Sequence, residues 1–261
     1  NGTITGAAFT DGVSGKSLNF TVSGHNVLIS DNAAIQNIFD SGGTISAWIN
    51  PVNDGLNGDY GTIVTKDGAK PAGNVNGWDF YVQDDDGTNC KLAFLQEFST
   101  QDGGWLTTAL DIPLNTWTHV AVTYDNGSTA NNPTLYVNGV SVALTEWSAP
   151  TGTRGTDVGN DLYIGNRVGV DLTFNGKIDE VRMYSTELDS NQIIALYNNP
   201  AGNTVTTIGP DQITTTDLSA INATLGTVTV GTGGYVRQGQ TDYDTGTGWW
   251  IGDDSGTPKL S

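Results

Sequence analysis

The chain has 261 residues, 28 of them acidic and 10 basic, for a formal net charge of −18. That length suits one large domain, or a domain with an appendage, and it can bury a sizeable core. The charge excludes a phosphate-tracking nucleic-acid binder, which needs a clustered basic face, and argues against docking on anionic membranes.

The acids are lopsided, 24 Asp against 4 Glu, and they are joined by 35 glycines. Asp and Gly favour turns over helix interiors, so the chain reads as strand-rich with many loops. A single cysteine, Cys90, excludes an internal disulfide and a cysteine-based zinc site. No apolar run approaches the ~20 residues of a membrane span, and Asn1 to Gly6 carry no signal-peptide pattern. Ser261 ends a strand-like stretch without a stop signal, so we read the chain as a piece of something longer.

In chain order, Thr44 to Ile49 alternates and stops at Pro51. Thr118 to Tyr124 places Val120, Val122 and Tyr124 on one face. Thr134 to Val142 is a hairpin around Asn138-Gly139, whose type I′ turn pairs Val137 with Val140 and Leu135 with Val142. A second Asn-Gly, Asn175-Gly176, leads into a strand from Lys177 to Tyr184. One helix is predicted over 189–197, with Asp189 and Gln192 as a capping box and Ile193, Ile194, Leu196 and Tyr197 as its apolar stripe. Short strands with one small helix predict a sandwich of two sheets. Composition shifts after Pro200: residues 201–261 hold 14 Thr and 11 Gly. Within them Leu218, Ile221, Leu225 and Val228 make an a/d seam too short to hold a helix alone, so it implies partner chains or a short helix lying on the sandwich.

Several of these segments resemble the laminin-G-like branch of the concanavalin A-like lectin/glucanase superfamily. Gly12 to Phe20 is similar to its opening strand, and Ile45-Ser46-Ala47-Trp48-Ile49 with Pro51 to its "isaWv-p" strand. Trp117 to Asp125 followed by Leu135-Tyr136-Val137-Asn138-Gly139 resembles the "W-HvAvtyd…lyvNG" hairpin. Leu162 to Gly165 and Gly176 to Arg182 complete the order. Over about residues 6–198 the resemblance implies an all-β, concanavalin A-like jelly-roll sandwich of two antiparallel sheets with one short helix. It also implies a glycan- or protein-binding role, often with calcium. The tail carries a second resemblance. Leu218 to Gly231 is similar to the "LSAINANLGTITAG" segments of bacteriophage tail-tip and tail-fibre proteins, and Gly234 to Asp253 to the stretch just downstream. That implies a stalk-like C-terminal segment and a homotrimer, in which three copies would bury the seam.

The domain reading is therefore 1–200 for the sandwich and 201–261 for the tail. Period-two alternation from Val181 and Met183 puts Asp179 on the inward side, where a carboxylate is costly unless paired. A calcium ion at Asp179 or hydrogen bonds from loop amides would each neutralise it. Asp84-Asp85-Asp86-Gly87 lacks the Glu of an EF-hand and reads as a solvated turn. Trp48 and Trp117 lie within matched strands and read as packing residues. Tyr60, Trp78, Trp105 and Trp147, beside loops rich in Gly, Asp or Ser, together with Asp102, are the ligand candidates: rings stack on sugar C–H faces while carboxylates take hydroxyls. Glu97, Glu146, Glu180 and Glu187 are isolated, without the paired-carboxylate strand of a glycosidase. His119 reads as packing, and no nucleophile elbow, P-loop or zinc spacing occurs. The sequence thus predicts a non-catalytic lectin-like adhesion domain of a phage tail, extracellular on the virion, binding a host-surface glycan. A structural decoration domain is the alternative, and a polysaccharide hydrolase or lyase a third reading.

Overall fold

A computed structural model describes residues 2–56, 60–68, 77–202, 235–238, 249–254 and 257–260. The chain divides into two units, Asn1–Thr206 and Thr207–Ser261.

The first unit begins with β1 (Thr3–Thr5), β2 (Ala8–Asp11), β3 (Lys16–Phe20), β4 (Asn26–Ile29) and β5 (Gly43–Pro51). Then come β6 (Tyr60–Thr65), β7 (Trp78–Gln83), β8 (Asn89–Gln96), β9 (Gly103–Thr107) and β10 (Ile112–Pro113). It continues through β11 (Thr118–Tyr124), β12 (Thr134–Val137), β13 (Val140–Ser141), β14 (Leu144–Ser148), β15 (Leu162–Ile164) and β16 (Gly176–Tyr184) to α1 (Ser190–Asn198). One sheet runs β1-β4-β15-β6-β7-β8-β9-β14, with β10 beside β8; the other runs β13-β12-β11-β5-β16-β3-β2. The strand ladders are antiparallel, as in the contacts of β5 with β11 and β16 and of β7 with β6 and β8. This is the sandwich of two sheets that the alternating segments predict, and the all-β jelly roll that the family resemblance implies.

The core lies between the sheets because one face of each strand is apolar. β5 contributes Ile45, Ala47 and Ile49, β11 contributes Val120, Val122 and Tyr124, and β7 and β8 contribute Phe80, Val82, Leu92 and Phe94. Burying such side chains is worth roughly 1.5–3 kcal/mol each. The hairpin turn is as expected: Asn138 and Gly139 take φ of 49° and 81°, and Val137 faces Val140. The helix is capped as its sequence predicts, with Asp189 accepting from the Gln192 N–H and the Gln192 side chain returning to the Asp189 N–H. Its Ile193 packs with Ala121 and Tyr136, on the face of β11 and β12 opposite the core. Trp48 and His119 are buried there too, within 5.5 Å of one another ring to ring, and Trp48 stacks on Tyr197 of α1.

The alternation expected along β16 fails at one residue. Glu180 adopts φ 49°, and the register against β5 slips between Asp179 and Arg182. This β-bulge inserts one residue, so Ile178, not Asp179, shares the core face with Val181 and Met183. Asp179 instead stands opposite Trp48.

In the second unit, β17 (Tyr235–Gln238), β18 (Trp249–Asp254) and β19 (Thr257–Leu260) form an antiparallel sheet in that order. The seam Leu218, Ile221, Leu225 and Val228 lies outside the described residues. Among the described residues no helix is long and apolar enough to cross a membrane.

Candidate functional site

The face of the larger sheet turned away from the core carries a cleft of about 250 Å³. Strand order builds its floor. With Phe80 and Val82 committed to the core, alternation sends Asp79, Tyr81 and Gln83 of β7 outward. Antiparallel pairing then sets Tyr81 beside Thr62 on one side and Ala93 on the other. Tyr81, Ala93 and Leu106 form a small apolar cluster with Leu95 against it. Tyr60 opens β6 opposite Gln83, and its ring meets Tyr81 edge-on with centroids 5.6 Å apart.

Trp147 closes one end from the edge strand β14, at a bulge between Glu146 and Ser148. Its indole lies against Gly104: a side-chain carbon there would fall 2.2 Å from the ring. Glycine at 104 is what lets the ring lie down on the sheet. Trp147 remains 51% exposed and Tyr60 42%, so both present aromatic surface to solvent.

The opposite wall is the loop between β15 and β16. Buried Asn166 holds it: its Nδ2 donates to the Thr173 hydroxyl and the His25 carbonyl, and its Oδ1 accepts from the N–H groups of Arg167 and Leu172. The loop thereby delivers Leu172 and Arg167 to the cleft. The Arg167 guanidinium donates twice to Asp171, at 2.8 and 3.0 Å, and this pair holds the Asp171 carboxyl below the usual carboxylate range. The arginine's charge is therefore matched locally. Asp79 accepts from the Thr65 hydroxyl. Burial, with the nearby charge of Asp79, pushes the Tyr81 phenol well above its ordinary value, so it stays protonated. The cleft thus offers aromatic faces ringed by a carboxylate, an amide, a hydroxyl and a neutralised guanidinium.

Of the candidates from sequence, Tyr60 and Trp147 come together here. Trp78 and Trp105 do not: they are 1% and 0% exposed. The Trp78 indole donates to Asp157, and that of Trp105 donates to Asn132 while its ring stacks near Phe94. Both rings sit in the core beside the loops that suggested them. Asp102 is a turn residue, with its carboxylate accepting from the Phe98 N–H and its carbonyl from Ser148. Asp86 likewise organises its own turn, accepting from Thr88 and Asn89. Tyr81, Asp79, Arg167 and Leu172 escaped the sequence reading. The alternation of Trp78 to Gln83 carried a signal for the first two, whereas nothing local marks Arg167.

The residues at Asp179 do not fit calcium. Its carboxylate accepts from the N–H groups of Val13 at 2.8 Å, Ser14 at 3.1 Å and Glu180 at 2.9 Å. Three amide dipoles present their positive ends where a cation would need oxygen donors. Among the described residues no group of three or more His, Cys, Asp or Glu side chains could hold a metal ion.

Residues 17–194 match a laminin-G-type family model, described as concanavalin A-like lectin/glucanases superfamily. The chain belongs to this superfamily. Comparison with curated protein sequences gives no match. Among solved structures, the receptor-binding domain of the botulinum neurotoxin C/D mosaic serotype aligns with TM-score 0.54 and 15% identity, over 76% of this chain and 46% of that one. The binding domain of Paraclostridial Mosquitocidal Protein 1 aligns with TM-score 0.53 and 18% identity, over 76% and 47%. This superfamily member thus spans about half the length of those chains, and at such identities the likeness is one of fold.

Proposed function

We propose that this protein is a non-catalytic carbohydrate-binding adhesion module of a phage tail, which recognises a host-surface glycan through the cleft of Tyr60, Tyr81 and Trp147. The observation that carries this reading is the half-exposed indole of Trp147 laid flat on Gly104 beside two tyrosines and a rim of polar groups. Flat aromatic surface covers the C–H face of a pyranose, and Asp79 and Gln83 line the same cleft for its hydroxyls. The two structural neighbours are, by name, receptor-binding and binding domains, which supports a binding role. A glycosidase needs two facing carboxylates. Among the described residues that line this cleft Asp79 is the one carboxylate, which supports a binder over a hydrolase. The tail's likeness to phage tail-tip proteins supports display on a virion as a homotrimer, where three weak sites act together.

The test is an array of bacterial surface polysaccharides probed with the full chain and with Trp147→Ala, alongside a reducing-sugar assay. Binding that is weakened in the variant, with no sugar released, supports the proposal. Absence of binding to every glycan favours a structural decoration domain, and sugar release would make the protein an enzyme.

A further inference from the structure

Among the described residues that line the aromatic cleft, Arg167 is the one cation and Asp79 the one carboxylate. An arginine at a sugar site is a natural clamp for a carboxylate, because its planar fork of N–H groups matches the two oxygens. Here the fork is already filled. Its Nε and Nη2 groups donate to Asp171 at 2.8 and 3.0 Å, while Asp171 is not itself among the residues that line the cleft.

The backbone is bent to make this pair. The Val170 N–H donates to the Arg167 carbonyl at 2.9 Å, closing a turn that brings Asp171 back to Arg167. Gly169 and Val170 take φ of 93° and 52° within it. The second is a left-handed angle that a β-branched residue adopts only under constraint. Buried Asn166 supplies the constraint: its Oδ1 accepts from the N–H groups of Arg167 and Leu172, one on each side of the turn, at 3.0 and 3.1 Å.

Charge around the guanidinium leans acidic. The Asp171 bonds, with the field of Asp79 and Asp67, hold the guanidinium above its ordinary value. Lys91, opposite Gln83 in the sheet, is held by Asp84 at 3.3 Å. A sugar carboxylate entering the cleft would have to displace Asp171 from the fork, and would then share the cleft with Asp79. An uncharged ring leaves the pair intact. We infer that Asp171 is a specificity-determining residue: by filling the Arg167 fork, it makes the cleft select uncharged glycans over those whose sugars bear carboxylates. This choice of ligand class rests on the glycan reading of the cleft. One unit of charge a few ångströms from another, in partly screened surroundings, changes an affinity roughly tenfold.

The experiment is an array of bacterial surface polysaccharides with uncharged repeats, each printed beside a form partly oxidised at C6 to the uronate, together with natural uronate- and sialate-bearing polymers. The full chain should bind uncharged polymers about tenfold better than their oxidised forms. Asp171→Asn should raise the ratio of oxidised to uncharged binding by a similar factor, and high salt should shrink that gain. Asp171→Glu, which keeps the charge, should hold the ratio of the unaltered chain. Adding Arg167→Gln to Asp171→Asn should remove the gain, since the clamp itself is lost. Asp171 is 56% exposed in its side chain, so Asp171→Asn leaves the core untouched, and the unaltered chain's own preference tests the inference without any variant. Oxidised or naturally acidic polymers bound as well as uncharged ones, or a ratio that Asp171→Asn leaves within about twofold, overturns the role of Asp171 while leaving the cleft as the glycan site. Binding to neither class defeats the cleft reading, and the selectivity falls with it.

Discussion

Removing the indole of Trp147 is the perturbation with the clearest magnitude. An aromatic side chain carries about 150–250 Å² of surface, and Trp147 keeps 51% of its own exposed. A sugar face laid on one side of that ring covers about 70 Å² of it, which at ~25 cal/mol per Å² is worth roughly 1.8 kcal/mol. Trp147→Ala should therefore weaken glycan binding about 20-fold. Because the ring is half in solvent at an edge strand, its loss should cost the fold little, within about 1 kcal/mol. Gly104→Ala tests the same geometry from beneath. The added carbon would fall 2.2 Å from the indole, so the ring must lift, and binding should fall although every group touching the sugar is retained. Isothermal titration with the glycan found on the array measures both, and chemical denaturation confirms that the variants are folded. A folded Trp147→Ala chain that binds within about twofold of the unaltered protein would refute the cleft as the binding surface.

Three further outcomes follow from the rest of the structure. Lys66 is wholly buried, donating to Asp31 at 2.8 Å and to the carboxylate and carbonyl of Asp157 at 3.1 and 2.6 Å. Lys66→Met strands those carboxylates and should cost about 3–5 kcal/mol, partly restored by adding Asp157→Asn; a loss under ~1 kcal/mol in urea unfolding contradicts this reading. Asp179→Ala frees three amides and should cost about 1–3 kcal/mol, yet chelation should leave the melting temperature of the unaltered chain unchanged. A calcium-dependent melting temperature that disappears in Asp179→Ala would show that the carboxylate holds a cation after all. Burial, with the Arg182 charge, pulls the His119 imidazole down to about 4 from an ordinary 6.5. The unfolded chain then binds the proton first, so stability is full above pH 6.5, falls as pH drops toward 4, and levels off below, by up to about 3 kcal/mol. His119→Phe should flatten that window in denaturation curves taken across it.

The sequence determined what near neighbours determine. The alternation of Thr44 to Ile49 and Thr118 to Tyr124, the Asn138-Gly139 turn and the Asp189 capping box each depend on residues a few positions apart. The sandwich and its outer helix are therefore legible in the order of residues alone. Only the tertiary structure decided the site. Tyr60, Tyr81, Trp147 and Arg167 lie far apart in the chain and meet because β6, β7, β8, β9 and β14 stand side by side and because Asn166 pins a loop over them. A tryptophan beside a glycine-rich loop looks the same in sequence whether its ring faces in or out. Trp105 turns into the core and Trp147 lies on the surface because the first sits on an inward position of β9 and the second at a bulge over Gly104. The inserted residue at Glu180 had the same effect on Asp179: strict period two assigned it a face, and one left-handed backbone angle moved it to the other. Local pattern sets which side of a strand is apolar, but bulges, strand order and glycine contacts set which side chains share a surface, and those are fixed only when distant strands pair.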